Sequence, residues 1–172
     1  MKKNFILLLL AGTLLVSLVA CDVVGAAVTS KDEITTIYVY HSGFGIHYLE
    51  YKIDLKNAKL WDYHTSISAE NVPRDKSAQN EGFSFVQELE QTKIDAFRKQ
   101  ATEHRFTKWK ESYIDYEMGC GNQWGITIVF ANGATKEIYG SNDYPKKWGK
   151  MGDALRDLTG EDVLLLELIK SN

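Results

Sequence analysis

The sequence predicts an α+β fold: a largely antiparallel sheet built from two hairpins, with helices packed on one face. Three observations lead there. Two pairs of alternating apolar segments are each joined by a glycine-bearing turn, one at Ser42-Gly43-Phe44-Gly45 and one at Asn132-Gly133. Two further segments, within residues 84–104 and 145–160, repeat apolar residues at helical spacing. Hairpins that alternate with helices leave one sheet face for the helices to cover.

The first hairpin joins strands predicted over 34–41 and 46–55. A three-residue loop centred on Phe44 sets His41 opposite His47, Val39 opposite Leu49 and Ile37 opposite Tyr51. One face is then largely apolar and continues through Ile53 and Leu55. The other carries Tyr38, Tyr40, Tyr48, Glu50 and Lys52, an alternation suited to a half-exposed sheet. Residues 56–82 read as irregular, although Lys59-Leu60-Trp61-Asp62-Tyr63 alternates and favours a further strand over 58–66.

Residues 84–104 read as a helix. Ser84 and Gln87 fit a capping box, and Val86, Leu89, Ala96, Phe97 and Ala101 fall on one side. Residues 106–121 are aromatic-rich and less regular. The second hairpin spans 124–139 about Asn132-Gly133, whose type I′ turn requires positive φ at both central positions. Ile126, Ile128 and Phe130 lie on one face of its first strand, Thr127 and Val129 on the other, which suits a central position in the sheet. A second helix carries Trp148, Met151, Leu155 and Leu158 on one stripe, with Pro145 near its start and Gly160 as its stop. Residues 163–169 fit a strand and a helix equally well.

The N-terminus has a different character. Lys2 and Lys3 precede an apolar run over 5–20 that is relieved only by Gly12, Thr13 and Ser17. Sixteen helical residues span roughly 24 Å, short of the ~30 Å hydrocarbon core, which favours a removable signal over a permanent span. The run ends in Leu18-Val19-Ala20-Cys21, which resembles the lipobox of bacterial lipoproteins. That resemblance implies a diacylglyceryl group on the Cys21 thiol and cleavage between Ala20 and Cys21. Two acyl chains hold a protein firmly at a membrane where one holds it only marginally. The chain thus divides into a lipoprotein signal peptide (1–20), a lipidated cysteine with its tether (21–33) and one globular domain (34–172). Asp22 resembles an inner-membrane retention signal only for a Gram-negative envelope, and the sequence leaves the envelope type open. The stretch 140–145 also resembles segments of uncharacterised small bacterial lipoproteins, a likeness that implies no activity.

Loss of residues 1–20 removes two lysines and leaves 18 Lys and Arg against 23 Asp and Glu, a balance of −5. A mildly acidic chain without a basic cluster gives no electrostatic ground for nucleic-acid binding. With Cys21 acylated, Cys120 has no intrachain partner and the domain folds without a disulfide. Cys120 reads as a small turn residue between glycines, in preference to a reactive thiol, since nothing basic lies beside it in sequence.

The sequence contains no nucleophile elbow, no His-Glu-x-x-His pair, no phosphate-binding loop and no dinucleotide fingerprint, and it calls for no cofactor. Two candidate sites are legible. His41 and His47, set side by side, would hold Zn²⁺ or Cu²⁺ if His64, His104 or a carboxylate completed the shell; two margin histidines bonded to backbone or water are the preferred reading. Tyr38, Tyr40 and Tyr48 offer a face for a protein, peptide or glycan, or else lie under residues 56–82, two readings of equal standing. The sequence therefore favours an exported, membrane-anchored lipoprotein whose domain, on the extracytoplasmic side, binds an envelope protein or ligand without catalysis. The alternative is an envelope hydrolase or metal-dependent enzyme that uses His41 and His47.

Overall fold

The computed structural model describes residues 32–43, 46–65, 82–118 and 121–166, without the side chains of 46–48, 64 and 65. The signal peptide expected over 1–20, both cysteines and most of the expected tether over 21–33 lie outside these residues. The fold class is as expected: a mixed α+β architecture with a largely antiparallel seven-stranded sheet and two helices packed together. Among the described residues no helix is long and apolar enough to cross a membrane.

The elements run β1 (Ile34–Gly43), β2 (Ile46–Asp54), β3 (Lys59–Thr65), β4 (Ser84–Glu88), α1 (Gln91–Glu103), β5 (Ser112–Ile114), β6 (Gln123–Phe130), β7 (Thr135–Ser141) and α2 (Trp148–Thr159). In space the sheet orders them β4-β3-β2-β1-β6-β7-β5. The β1–β6 ladder, antiparallel from Ile34 opposite Phe130 to Ser42 opposite Gln123, welds the two hairpins into one sheet. The edge strand β5 is the exception, parallel to β7.

The first hairpin keeps its predicted faces but not its predicted pairs. Ile37 stands opposite Ile53, Val39 opposite Tyr51 and His41 opposite Leu49, not opposite His47. The strands run on to Gly43 opposite Ile46; the remaining pairs stand two residues from the predicted register, one of which comes from the irregularity between His41 and Gly43. A shift of two preserves which side chains share a face, because the strand period is also two.

Residues 84–88 are a strand, not a helical cap. Glu88 pairs with Lys59, Gln87 with Leu60 and Phe85 with Trp61, so β3 satisfies the backbone groups that the Ser84 and Gln87 side chains were expected to satisfy. The Gln87 amide instead donates to the Thr159 carbonyl at the end of α2. α1 begins only at Gln91, with Glu90 before it and no side-chain cap. Its buried stripe is Ile94, Phe97 and Ala101; Ala96 is exposed, and Val86 is an exposed residue of β4.

The segment after β2 does contain a strand, β3, where Lys59–Thr65 alternates. The second hairpin forms about Asn132-Gly133, yet only Gly133 takes positive φ, at 82°. The Gly133 N–H donates to Phe130 O at 2.9 Å and the Phe130 N–H to Ala134 O at 2.9 Å, the three-residue loop in which a type I turn is followed by a left-handed glycine. α2 ends as expected, with Gly160 left-handed and its N–H on Arg156 O at 2.7 Å. Val163 and Leu164 occupy a turn after α2. The core between sheet and helices joins Ile37, Val39, Ile53, Leu60, Ile126, Ile128 and Ile138 to the stripes of α1 and α2, with these turn residues sealing one end.

Candidate functional site

The strand alternation that turns Ile37, Val39 and His41 toward the helices turns Tyr38 and Tyr40 the other way. Cross-strand pairing then assembles two parallel rows on the open face. One row runs from Phe85 on β4 through Trp61, Lys52 and Tyr38 to Thr127 on β6. The next runs from Tyr63 through Glu50, Tyr40 and Gly125 to Tyr139 on β7. Adjacent strands lie about 4.8 Å apart, so the band crosses roughly 24 Å of sheet.

Aromatic contacts organise the β4 end of this band. The Phe85 ring meets Trp61 edge-on at 5.4 Å between centroids, and Phe83 lies 5.9 Å from Tyr63 and 6.5 Å from Tyr38. Phe85 nevertheless remains 51% exposed, a large apolar surface on an edge strand. Tyr38 is buried, and burial raises its phenol above the usual value, with Asp54 and Glu50 adding to the rise. Tyr40 lies flat over Gly125, where a Cβ would come within 2.0 Å of its ring; only glycine lets that ring down onto the sheet. Such a face can bind by aromatic packing, with the charges of Glu50 and Lys52 between the rings to orient a partner.

The predicted tyrosine site is thus partly assembled. Tyr38 and Tyr40 share the open face, Tyr38 covered by Phe83 and Tyr40 half-buried. The Tyr48 side chain lies outside the description. Sequence reasoning missed the contributors from β3 and β4. The alternation of Lys59–Thr65 was the available signal for Trp61 and Tyr63, whereas Phe85 was hidden by the helical reading of its segment and Phe83 lies just before that segment.

The histidine site differs more. His41 is 4% exposed, and its Nε2 lies 2.9 Å from the Val163 carbonyl. A carbonyl only accepts, so Nε2 carries the proton and the ring is a neutral donor. Burial pushes its pKa down to about 4, against a smaller upward pull from that hydrogen bond and from Asp162. The ring therefore ties β1 to the turn after α2. The side chains of His47 and His64 lie outside the description, and His104 sits apart at the end of α1. Among the described residues no three His, Cys, Asp or Glu groups gather as a metal shell.

Around His41 lies a charged rim. Arg156 pairs with Asp162 at 2.9 Å, and the Asp162 carboxylate accepts the Leu166 N–H at 3.0 Å. Tyr51, buried beside them, is pushed up to about 12 by burial, and then by Glu161, Asp62 and Asp162. A phenol held so firmly protonated is a donor, not a base.

No family model matches the sequence, and no curated protein matches it. Its residues present a buried, backbone-bonded histidine on one side of the sheet and a half-open aromatic band on the other.

Proposed function

We propose that this chain is an exported lipoprotein, held to a membrane by a diacylglyceryl group on Cys21, whose domain works by binding a protein or ligand in the envelope. The observation that carries the binding half is the aromatic band that ends in Phe85, exposed over half its surface on an edge strand. Aromatic side chains supply large contact areas at low entropy cost, which is why they concentrate where surfaces meet partners. The engagement of His41 with Val163 supports a binder over a His41–His47 metal enzyme, because it leaves the ring only a buried Nδ1. The anchoring half rests on the Leu18-Val19-Ala20-Cys21 pattern.

Each half has its own test. A photo-crosslinking residue in place of Phe85 in the full-length chain, in cells, should yield a discrete adduct that the same residue at exposed Asp153 on α2 does not. Equal labelling from both positions, or none from Phe85, would remove the aromatic face as the binding surface. A Cys21→Ser variant should lose acyl mass and leave the membrane fraction, while the unfolding midpoint of its domain stays unchanged. Retention of that variant in the membrane would refute the lipid anchor.

A further inference from the structure

At the end of the sheet where β1 begins, a cleft of about 580 Å³ opens between the last turns of α1, the 3₁₀ turn that follows it and the end of β6. Its apolar lining is Ile34, Ala101 and Phe130, the first two buried. Its polar lining includes three cations, Arg98, Arg105 and Lys108. Glu33 engages one of them, the Arg98 guanidinium, at 2.6 Å, and leaves the buried Arg98 Nε without an acceptor among the described residues. Arg105 and Lys108 are exposed and make no ion pair among those residues. Asp32 is the second carboxylate of the lining and has a partner of its own.

Charge alone decides what such a cleft accepts. Three cations stand against the two carboxylates Asp32 and Glu33, a net of +1, from which the carbonyl end of α1 takes roughly half a charge. An anion is favoured, and the apolar lining favours one that carries carbon. The chain that arrives from Cys21 enters the fold at this cleft: the Glu33 carbonyl accepts the Ala131 N–H at 2.9 Å. Eleven residues, 22–32, separate the anchor from that point and reach at most about 40 Å. Whatever covers the membrane surface is within range of Arg105 and Lys108.

We propose that this cleft takes the phosphate headgroup of an anionic phospholipid, with Arg105 and Lys108 on the phosphate and the glycerol carbons against Ile34, Ala101 and Phe130. The inference rests on the anchored-lipoprotein reading for its source of ligand, though not for its chemistry. Binding there would dock the domain with its β1 end toward the bilayer and its aromatic band along the side.

The test uses the full-length chain purified from membranes in mild detergent, titrated by calorimetry with short-chain phosphatidylglycerol, short-chain phosphatidylcholine and inorganic phosphate. Saturable binding of phosphatidylglycerol alone is expected. The double variant R105Q/K108Q should bind about thirtyfold more weakly, and Lys108→Gln alone about fivefold, at roughly fivefold for each cation near an anionic surface. Exchange of Lys150 on α2 for Gln should change nothing. Equal binding of inorganic phosphate would reassign the cleft to a free anion, and equal binding of phosphatidylcholine would deny its selectivity. No binding of any probe would overturn it outright. The acyl mass on Cys21, measured on the same preparation, reads the anchor separately: an unacylated chain that binds phosphatidylglycerol would refute the anchor and leave the cleft standing.

Discussion

Replacement of Trp124 by alanine is expected to lower the unfolding free energy by about 4 kcal/mol, a large fraction of the roughly 5–15 kcal/mol that holds an ordinary domain together. Trp124 is fully buried on β6 at the centre of an aromatic cluster. Its ring stacks with Tyr144 at 6.0 Å and 12°, lies 4.3 Å from Trp148 and 6.0 Å from Tyr113, and covers Gly140 of β7. A Cβ on Gly140 would come within 2.0 Å of that ring, so the cluster packs down to the backbone with no slack. The indole N–H donates to Asp143 O at 3.0 Å, and truncation would leave that carbonyl without it. Because Trp148 opens α2 and Trp109 stacks on it at 5.9 Å, one deletion loosens the sheet, the helix and the segment after α1 together. Urea unfolding of wild type and Trp124→Ala by far-ultraviolet circular dichroism measures the loss. A difference under about 1 kcal/mol would mean that the cluster is not the keystone its geometry describes.

The second large effect is a loss of stability in mild acid that depends on one side chain. The folded state holds His41 neutral with a pKa of about 4, below the ordinary 6.5 that the unfolded chain restores. Between those values the unfolded state binds the extra proton. The contribution of His41 is therefore fully present above pH 6.5 and is lost as the pH falls through 6.5 toward 4. A shift of this size corresponds to about 3 kcal/mol across the window. His41→Gln retains an amide donor for Val163 O but cannot titrate. Wild type should consequently lose about 3 kcal/mol more than the variant between pH 7.5 and pH 4, measured by urea unfolding at each pH. Parallel pH curves would show that His41 does not carry the effect. Every other ionisable group is common to both proteins, so the difference between the curves isolates the histidine.

These effects centre on positions that the sequence presented very differently. The stripe of α2 was legible because Trp148, Met151, Leu155 and Leu158 are spaced to one turn of a helix, and Gly160 follows at the one place where a left-handed residue ends it. The second hairpin was legible from Asn132-Gly133, although the turn itself uses one left-handed residue where two were expected. Residues 84–88 were not. Ser84 and Gln87 carry the spacing of a helix cap, and only the presence of β3 alongside converts Phe85 and Gln87 into cross-strand neighbours of Trp61 and Leu60. His41 and His47 were placed together by a register two residues off, because a local pattern does not reveal the irregularity between His41 and Gly43. The partner His41 actually uses, Val163, is 122 residues away.

The sequence by itself determined the fold class, the face on which the described side chains of β1, β2 and β6 lie, and the α2 stripe. Those properties follow from periods of 2 and 3.6 that repeat within a few residues. It is also the whole basis for placing a lipid on Cys21. Tertiary structure alone decided the register of the first hairpin, the strand at Ser84–Glu88, the union of the hairpins through β1 and β6, and the assembly of Trp61, Tyr63, Phe83 and Phe85 beside Tyr38. Those depend on which distant segments meet, and a local period carries no information about its partner.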